Sequence, residues 1–306
     1  MRPPGPVLKF ATLAFLVAVW GTTWAAVRIS LRGFPPLTGV ALRFAVAAVL
    51  LVMIARLTGT PLGAVNANDR RLRWVHALLT FCISYGIVFW AQQYIPSGLT
   101  SVLFATFPLI VAVMAHFALP RERMTVPIFA GTVLGFSGIA AIFSEDLHRV
   151  GGNSIVFASL IMLVSPFVAA ISTVAFKKWG EGIRPVSFNA VAIMYATIIM
   201  GGLAVVAERH QVIVPERWPV MAILYMAVFG TAITFPLYFW LLEHMQARQL
   251  ALIGYGTPVV ALFLGVAFLD ETLTTRTLVG SAMVVLGVAM ASHSPRRGGR
   301  SIPPRV

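Results

Sequence analysis

The side chains in this sequence that could do chemistry are aromatic rings and hydroxyls set inside apolar runs. Trp20, Thr23 and Trp24 fall in the first run, Tyr85 and Trp90 in the third, and Phe104 and Thr106 in the fourth. Ser165 falls in the sixth run, Tyr238 and Trp240 in the eighth, and Tyr255 and Gly256 in the ninth. At about 1.5 Å per helical residue, most of these lie towards the middle of their runs. Pro108, Pro166, Pro236 and Pro258 accompany them, and a proline inside a helix frees a backbone carbonyl. Rings, hydroxyls and freed carbonyls can hold a small amphipathic solute, because an aromatic face accepts apolar or cationic groups. Such binding needs no covalent step.

The residues required for other chemistry do not occur in the necessary patterns. The chain has no paired carboxylates, no HExxH and no GxSxG. Its single cysteine, Cys82, supplies neither a disulfide framework nor a cysteine metal site. We therefore expect no cofactor, no metal and no enzymatic activity. The acidic residues lie away from helix centres, where a coupling carboxylate is expected. Arg43 is the most intramembrane charge, suited either to an anionic group or to a structural bond with a neighbouring helix. Glu122 and Glu271 precede the fifth and tenth runs beside Arg121, Arg123 and Arg276. They are expected to act as gating ion pairs or as caps on the helices they precede. Gly131, Gly135 and Gly138, with Gly280 and Gly287, are expected to let two helices pack closely.

These residues must be positioned by membrane helices. The chain is 58% apolar and 11% charged, whereas soluble domains carry about 25% charged residues. A chain with so little charge cannot cover a water-facing surface. Ten apolar segments follow one another: Leu8–Leu31, Pro36–Leu57, Leu72–Gln92, Ser97–Phe117, Thr125–Phe143, Asn153–Phe176, Pro185–Ala207, Pro219–Leu242, Ala247–Leu269 and Thr274–Ala291. Each suits a spanning helix of about 20 residues. The predicted fold is an all-α integral membrane protein of ten transmembrane helices.

The net charge of +13 fits cationic loops that set orientation better than a nucleic-acid partner. With the N-terminus inside, most Lys and Arg fall on the inner side, including Arg70, Arg71, Arg73, Lys177, Lys178 and Arg184. Both termini are therefore expected to be cytoplasmic in a multi-pass inner (plasma) membrane protein. Residues 293–306 are expected to form a basic, disordered cytoplasmic tail. The expected partners are a small-molecule solute and membrane lipid.

The second half repeats the first at a shift of about 150 residues. Gly33 and Pro36 meet Gly182 and Pro185, Phe89-Trp90 meets Phe239-Trp240, and Pro108 meets Pro258. Glu122, Gly131 and Gly138 meet Glu271, Gly280 and Gly287 in the same order. Two five-helix repeats, residues 8–143 and 153–292, must enter the membrane from opposite sides because five is odd. Inverted repeats mark secondary transporters, which bind substrate near the midplane between halves.

The motifs Trp20-Gly21-Thr22-Thr23-Trp24, Pro36 with Arg43-Phe44, and Pro108 with Glu122, Thr125, Gly131 and Gly138 carry a further resemblance, as does the second set Pro258, Glu271, Thr274, Gly280 and Gly287. This double pattern resembles the EamA family of the drug/metabolite transporter superfamily, over residues about 8–292. Arg121 and Asp270 depart from it, standing where glycine is common before the glutamate. The resemblance implies a ten-helix inverted-repeat carrier that exports a metabolite, amino acid or drug-like compound. The alternatives are a non-transporting membrane sensor or assembly protein and a membrane-embedded lipid-modifying enzyme. The second would need a clustered nucleophile or acid–base pair, and no such motif appears.

Overall fold

A computed structural model of the chain describes residues 5–119, 124–143, 147–245, 250, 252–272 and 274–292. The described elements are helices: α1 (Pro6–Ser30), α2 (Pro36–Leu57), α3 (Ala67–Ala91), α4 (Ser97–Ala118), α5 (Val126–Phe143), α6 (Leu147–Trp179), α7 (Pro185–Ala207), α8 (residues 217–244), α9 (Leu252–Leu269) and α10 (Thr275–Ser292). Seven of them, α1 to α4 and α6 to α8, are long and apolar enough to cross a membrane, and α5, α9 and α10 are shorter apolar helices. Large apolar side chains such as Phe117, Ile198, Val205, Phe263 and Phe268 point outward, which suits a surface facing lipid rather than water.

Proline sets several starts. Pro6, Pro36 and Pro185 open α1, α2 and α7, where the missing N–H has no intrahelical role and φ is already helical. Three helices depart from a plain α-helix. In α4 the winding breaks after Phe104 and resumes at Phe107, because Pro108 cannot donate to Phe104 and its ring presses on that carbonyl. Thr106 Oγ1 donates to the Leu103 carbonyl at 2.7 Å within this break. In α3, residues His76–Ser84 wind as a π-helix, and in α8 so do Val228–Ile233. The α8 segment lies just ahead of Pro236. The two wide turns occupy matching places about 150 residues apart, and the sequence analysis did not anticipate either. Pro166 and Pro258, expected to break their helices, instead lie within continuous α6 and α9.

The packing is reciprocal between the halves. The most extensive contacts are α5 with α10, α2 with α7, and α3 with α6, followed by α1 with α9. The α1–α9 contact has its counterpart in α6 with α4, and the α3–α6 contact has its counterpart in α8 with α1. Glycines make the α5–α10 contact possible: a Cβ on Gly138 would lie 2.5 Å from the Gly280 carbonyl, and one on Gly287 would lie 2.6 Å from Gly135 N. The centre is a cluster of fully buried rings, Phe44, Phe81, Phe89 and Phe188, contributed by both halves.

Two carboxylates from the second half cap helices of the first. Neither α2 nor α4 has its own side-chain cap, since Pro35 and Pro96 occupy the cap positions. Glu208, at the end of α7, accepts from Leu37 N at 2.8 Å and from Thr38 N at 2.7 Å. Glu271 accepts from Ser97 N at 2.7 Å and Gly98 N at 3.0 Å. First-turn amides have no intrahelical acceptor, so each carboxylate satisfies two orphan donors at a positive helix end. This corrects the expectation for Glu271: it caps the start of α4 rather than that of α10. Glu122, its counterpart, lies outside the described residues, as do Arg121, Arg123 and the tail 293–306.

Candidate functional site

Arg43 stands at the centre of the bundle. It lies seven residues into α2, about 10 Å along the helix axis, and is 1% exposed. Its Nε donates to Thr231 Oγ1 at 2.8 Å and its Nη2 to the Gly230 carbonyl at 3.0 Å. Its guanidinium lies over the Tyr85 ring, 4.8 Å from the centroid. The π-turn of α8 makes this geometry available. Thr231 Oγ1 donates back to the Met226 carbonyl at 2.9 Å, and the widened turn leaves the Gly230 carbonyl open to other helices. A wide turn of this kind is frequent at functional sites. Asp69 is paired with Arg73, and the groups that accept from Arg43 are neutral. A cation inside a membrane-spanning helix costs up to about 2.5–3.5 kcal/mol on insertion scales, and the acceptors around this one carry no charge to offset it.

Several predicted residues gather around this point. Trp20 Nε1 donates to the same Gly230 carbonyl at 3.3 Å and to Thr234 Oγ1 at 3.1 Å. Its ring meets Tyr238 at 5.4 Å and Phe235 at 5.7 Å. Thr23 is buried, donates to the Trp20 carbonyl at 2.7 Å, and faces Gly230. Beside it in the chain, the Thr22 hydroxyl shares a hydrogen bond of 2.5 Å with that of Tyr225. Tyr85 packs on Phe44 and Phe81, and Phe81 meets Phe235 at 5.0 Å. Trp24 and Phe104 stand next to each other, centroids 5.5 Å apart, at the break in α4 beside Thr106.

Other predicted residues sit apart. Ser165 bonds Ser84 at 2.8 Å, joining α6 to the π-turn of α3. Trp90 packs on Tyr94 and Phe157, and Trp240 stacks on His244. Gly256 faces Val17: a Cβ there would lie 2.5 Å from Val17 Cγ1, so it serves the contact between α1 and α9. A tryptophan at this position would push α1 aside before it could fill any passage. The side chain of Tyr255 lies outside the described residues.

Sequence reasoning missed Gly230, Thr231 and Thr234, the α8 groups that receive Arg43 and Trp20. The available signal was Gly230-Thr231 five to six residues ahead of Pro236. His76, which the sequence analysis did not single out, bonds Ser172 at 2.7 Å within a cage that includes Phe81, Phe188 and Phe239. No group of three or more His, Cys, Asp or Glu suited to a metal occurs among the described residues. A separate shallow cavity of about 150 Å³ lies among the α1–α2, α3–α4 and α7–α8 connections, lined by Arg32, Pro35, Gln93 and Gln211 among others.

The EamA-like transporter family model matches residues 8–144 and again residues 156–293. The chain belongs to this family. Among its relatives, the uncharacterized transporter YoaV of Bacillus subtilis is 29% identical, over 89% of this chain and 92% of its own. Protein PagO of Salmonella typhimurium is 26% identical, over 92% of both chains. The uncharacterized inner membrane transporter YedA of Escherichia coli K12 is 26% identical, over 92% of this chain and 90% of its own. A solved crystal structure at 17% identity superposes with a TM-score of 0.70, covering 94% of this chain and 97% of that one, a likeness of fold. This EamA-family protein is thus a multi-pass membrane transporter, and the Arg43 cluster lies at the heart of its bundle.

Proposed function

We infer that this EamA-family protein is a secondary carrier, exporting a small organic solute by alternating access between two inverted five-helix repeats. The reciprocal packing carries the reading. Exchanging each helix for the one five places on turns the α1–α9 contact into the α6–α4 contact, and leaves α2–α7 and α5–α10 as self-pairs. The matching π-turns in α3 and α8 support the same exchange. Irregular windings near the middle of a bundle are where carriers place their substrate. Trp20, Thr23, Tyr85 and Tyr238, with Arg43, are the proposed pathway residues, and Trp24, Phe104 and Thr106 extend it at the α4 break. Lysine and arginine in the loops favour cytoplasmic termini in an inner membrane, the membrane named for YedA.

The test compares extracellular metabolites of cells carrying the wild type, an empty vector, or Gly230→Leu at equal membrane abundance. A Cβ at Gly230 would lie 2.7 Å from Thr23 Cγ2 and 3.3 Å from Arg43 Nη2, so leucine would jam this centre. The reading expects at least one small solute to accumulate outside with the wild type alone. Identical profiles in all three would refute export.

A further inference from the structure

We propose that Arg43 is the recognition point for an anionic group of the substrate, so that the carried solute is a small organic acid with an apolar body. The inference rests on the carrier reading above and names its substrate class. Its basis is an imbalance of charge. Arg43 is enclosed among α2, α3 and α8, yet no carboxylate is among the groups around it: the Thr231 hydroxyl, the Gly230 carbonyl, the Met226 sulfur at 3.7 Å, and the Tyr85 phenol beside it. A purely structural guanidinium in such a place is expected to sit against a carboxylate, because a buried charge is stabilised by pairing. Asp69 is taken by Arg73. Glu208 and Glu271 are spent on the caps of α2 and α4.

The surroundings fit the same class. The planar guanidinium offers a fork of donors matched to a carboxylate. Around it stand Tyr85, Phe81, Phe235 and Trp20, which supply an apolar wall for the rest of the solute. The bonds that hold Arg43 in this state come from the π-turn, whose Gly230 carbonyl also accepts from Trp20 Nε1 of α1, as does Thr234 Oγ1 just beyond the turn. Trp20 reaches both, while Arg43 reaches Gly230 alone. A carboxylate could therefore take over the guanidinium while Trp20 keeps α8 in register with α1.

The experiment measures ligand-induced thermal stabilisation of the purified full chain in lipid nanodiscs. The probes are phenylacetate and hexanoate, each against its uncharged amide, titrated into wild type, Arg43→Lys and Arg43→Gln. The proposal expects at least one acid to stabilise the wild type, with its amide at least tenfold weaker, as removing a charge-assisted bond implies. Arg43→Gln should lose the acid's advantage, and Arg43→Lys should retain part of it because the charge survives. Equal binding of acid and amide, an acid preference that persists in Arg43→Gln, or no binding of either acid to the wild type would each overturn it. An Arg43→Gln chain that fails to fold leaves the acid-against-amide comparison in the wild type to decide. Transport is read separately from extracellular metabolites. Export of a neutral solute would sink this inference and leave the carrier reading standing, whereas acid binding without export would do the reverse.

Discussion

Replacing Asp69 with alanine is expected to destabilise the protein by about 3–5 kcal/mol, the cost of leaving one member of a buried ion pair alone. Asp69 is fully buried, and Arg73 is 3% exposed. Their bond is bidentate, Nε to Oδ1 at 2.7 Å and Nη2 to Oδ2 at 2.9 Å. The pair does more than hold itself. Arg73 also donates to the Leu62 carbonyl at 2.7 Å and to Ser187 Oγ at 3.0 Å, tying the α2–α3 connection and α7 to the start of α3. Asp69 in turn accepts from Val65 N at 2.9 Å, while its own N–H donates to the Asn66 cap at 2.8 Å. The midpoint of thermal unfolding in micelles would report the loss. Asp69→Leu with Arg73→Met should recover part of it, since removing both charges leaves neither unpaired. An Asp69→Ala midpoint equal to the wild type would show that this network adds nothing to stability.

Gly138→Leu should act almost as strongly by wedging apart α5 and α10. A Cβ at Gly138 would lie 2.5 Å from the Gly280 carbonyl and 2.9 Å from both Met283 Cβ and Val284 N. Two of these neighbours are backbone, so no rotamer change can relieve the contact and one helix must move. Overpacking of this kind costs about 1–3 kcal/mol, and contact with backbone places it at the upper end. Gly202→Ala is the matching control. Its added methyl would meet nothing within 4 Å, and alanine in a helix is preferred over glycine by about 0.5–1 kcal/mol. The account expects Gly138→Leu to unfold at a clearly lower temperature and Gly202→Ala at an equal or higher one. Equal stability of Gly138→Leu and the wild type would mean that α5 and α10 do not meet as described.

Much of the helical frame was legible because it depends on sums over neighbouring residues. Runs of apolar side chains and prolines such as Pro36 and Pro185 mark spans and starts that the helices follow closely. The break at Pro108 was legible for the same local reason. Features that depend on partners far along the chain were not. Nothing near Glu208 or Glu271 indicates that each carboxylate reaches the first turn of a helix more than 170 residues away. Arg73 read only as one of several inner-side cations, with nothing nearby in sequence to show that it bonds Ser187 of α7. Gly256 and Pro258 looked alike as possible interruptions, yet one packs against α1 and the other sits in an unbroken helix. The two π-turns required one extra residue to be absorbed in a packed bundle, which hydropathy does not register.

For the candidate site, aromatic and hydroxyl residues in mid-run pointed to the right region but mixed its members with distant ones. Trp20, Thr23 and Tyr85 gather near Arg43 and Tyr238 joins them through Trp20, whereas the ring partners of Trp90 are Tyr94 and Phe157 and that of Trp240 is His244. Residue type records what a side chain can bind. Which helix face it occupies, and what that face meets, is settled by packing across the two halves.

The most direct test of alternating access uses the chain's single cysteine. With Cys82→Ala as background, Thr23→Cys places one thiol in the Trp20–Arg43 centre. Right-side-out and inside-out vesicles are treated with a membrane-impermeant charged thiol reagent, and the modified fraction is followed over time. The account predicts that the same thiol is modified from both faces, and more slowly when Gly230→Leu is present. Modification from one face alone, or from neither while the protein is folded, would contradict a centre that opens alternately to the two sides.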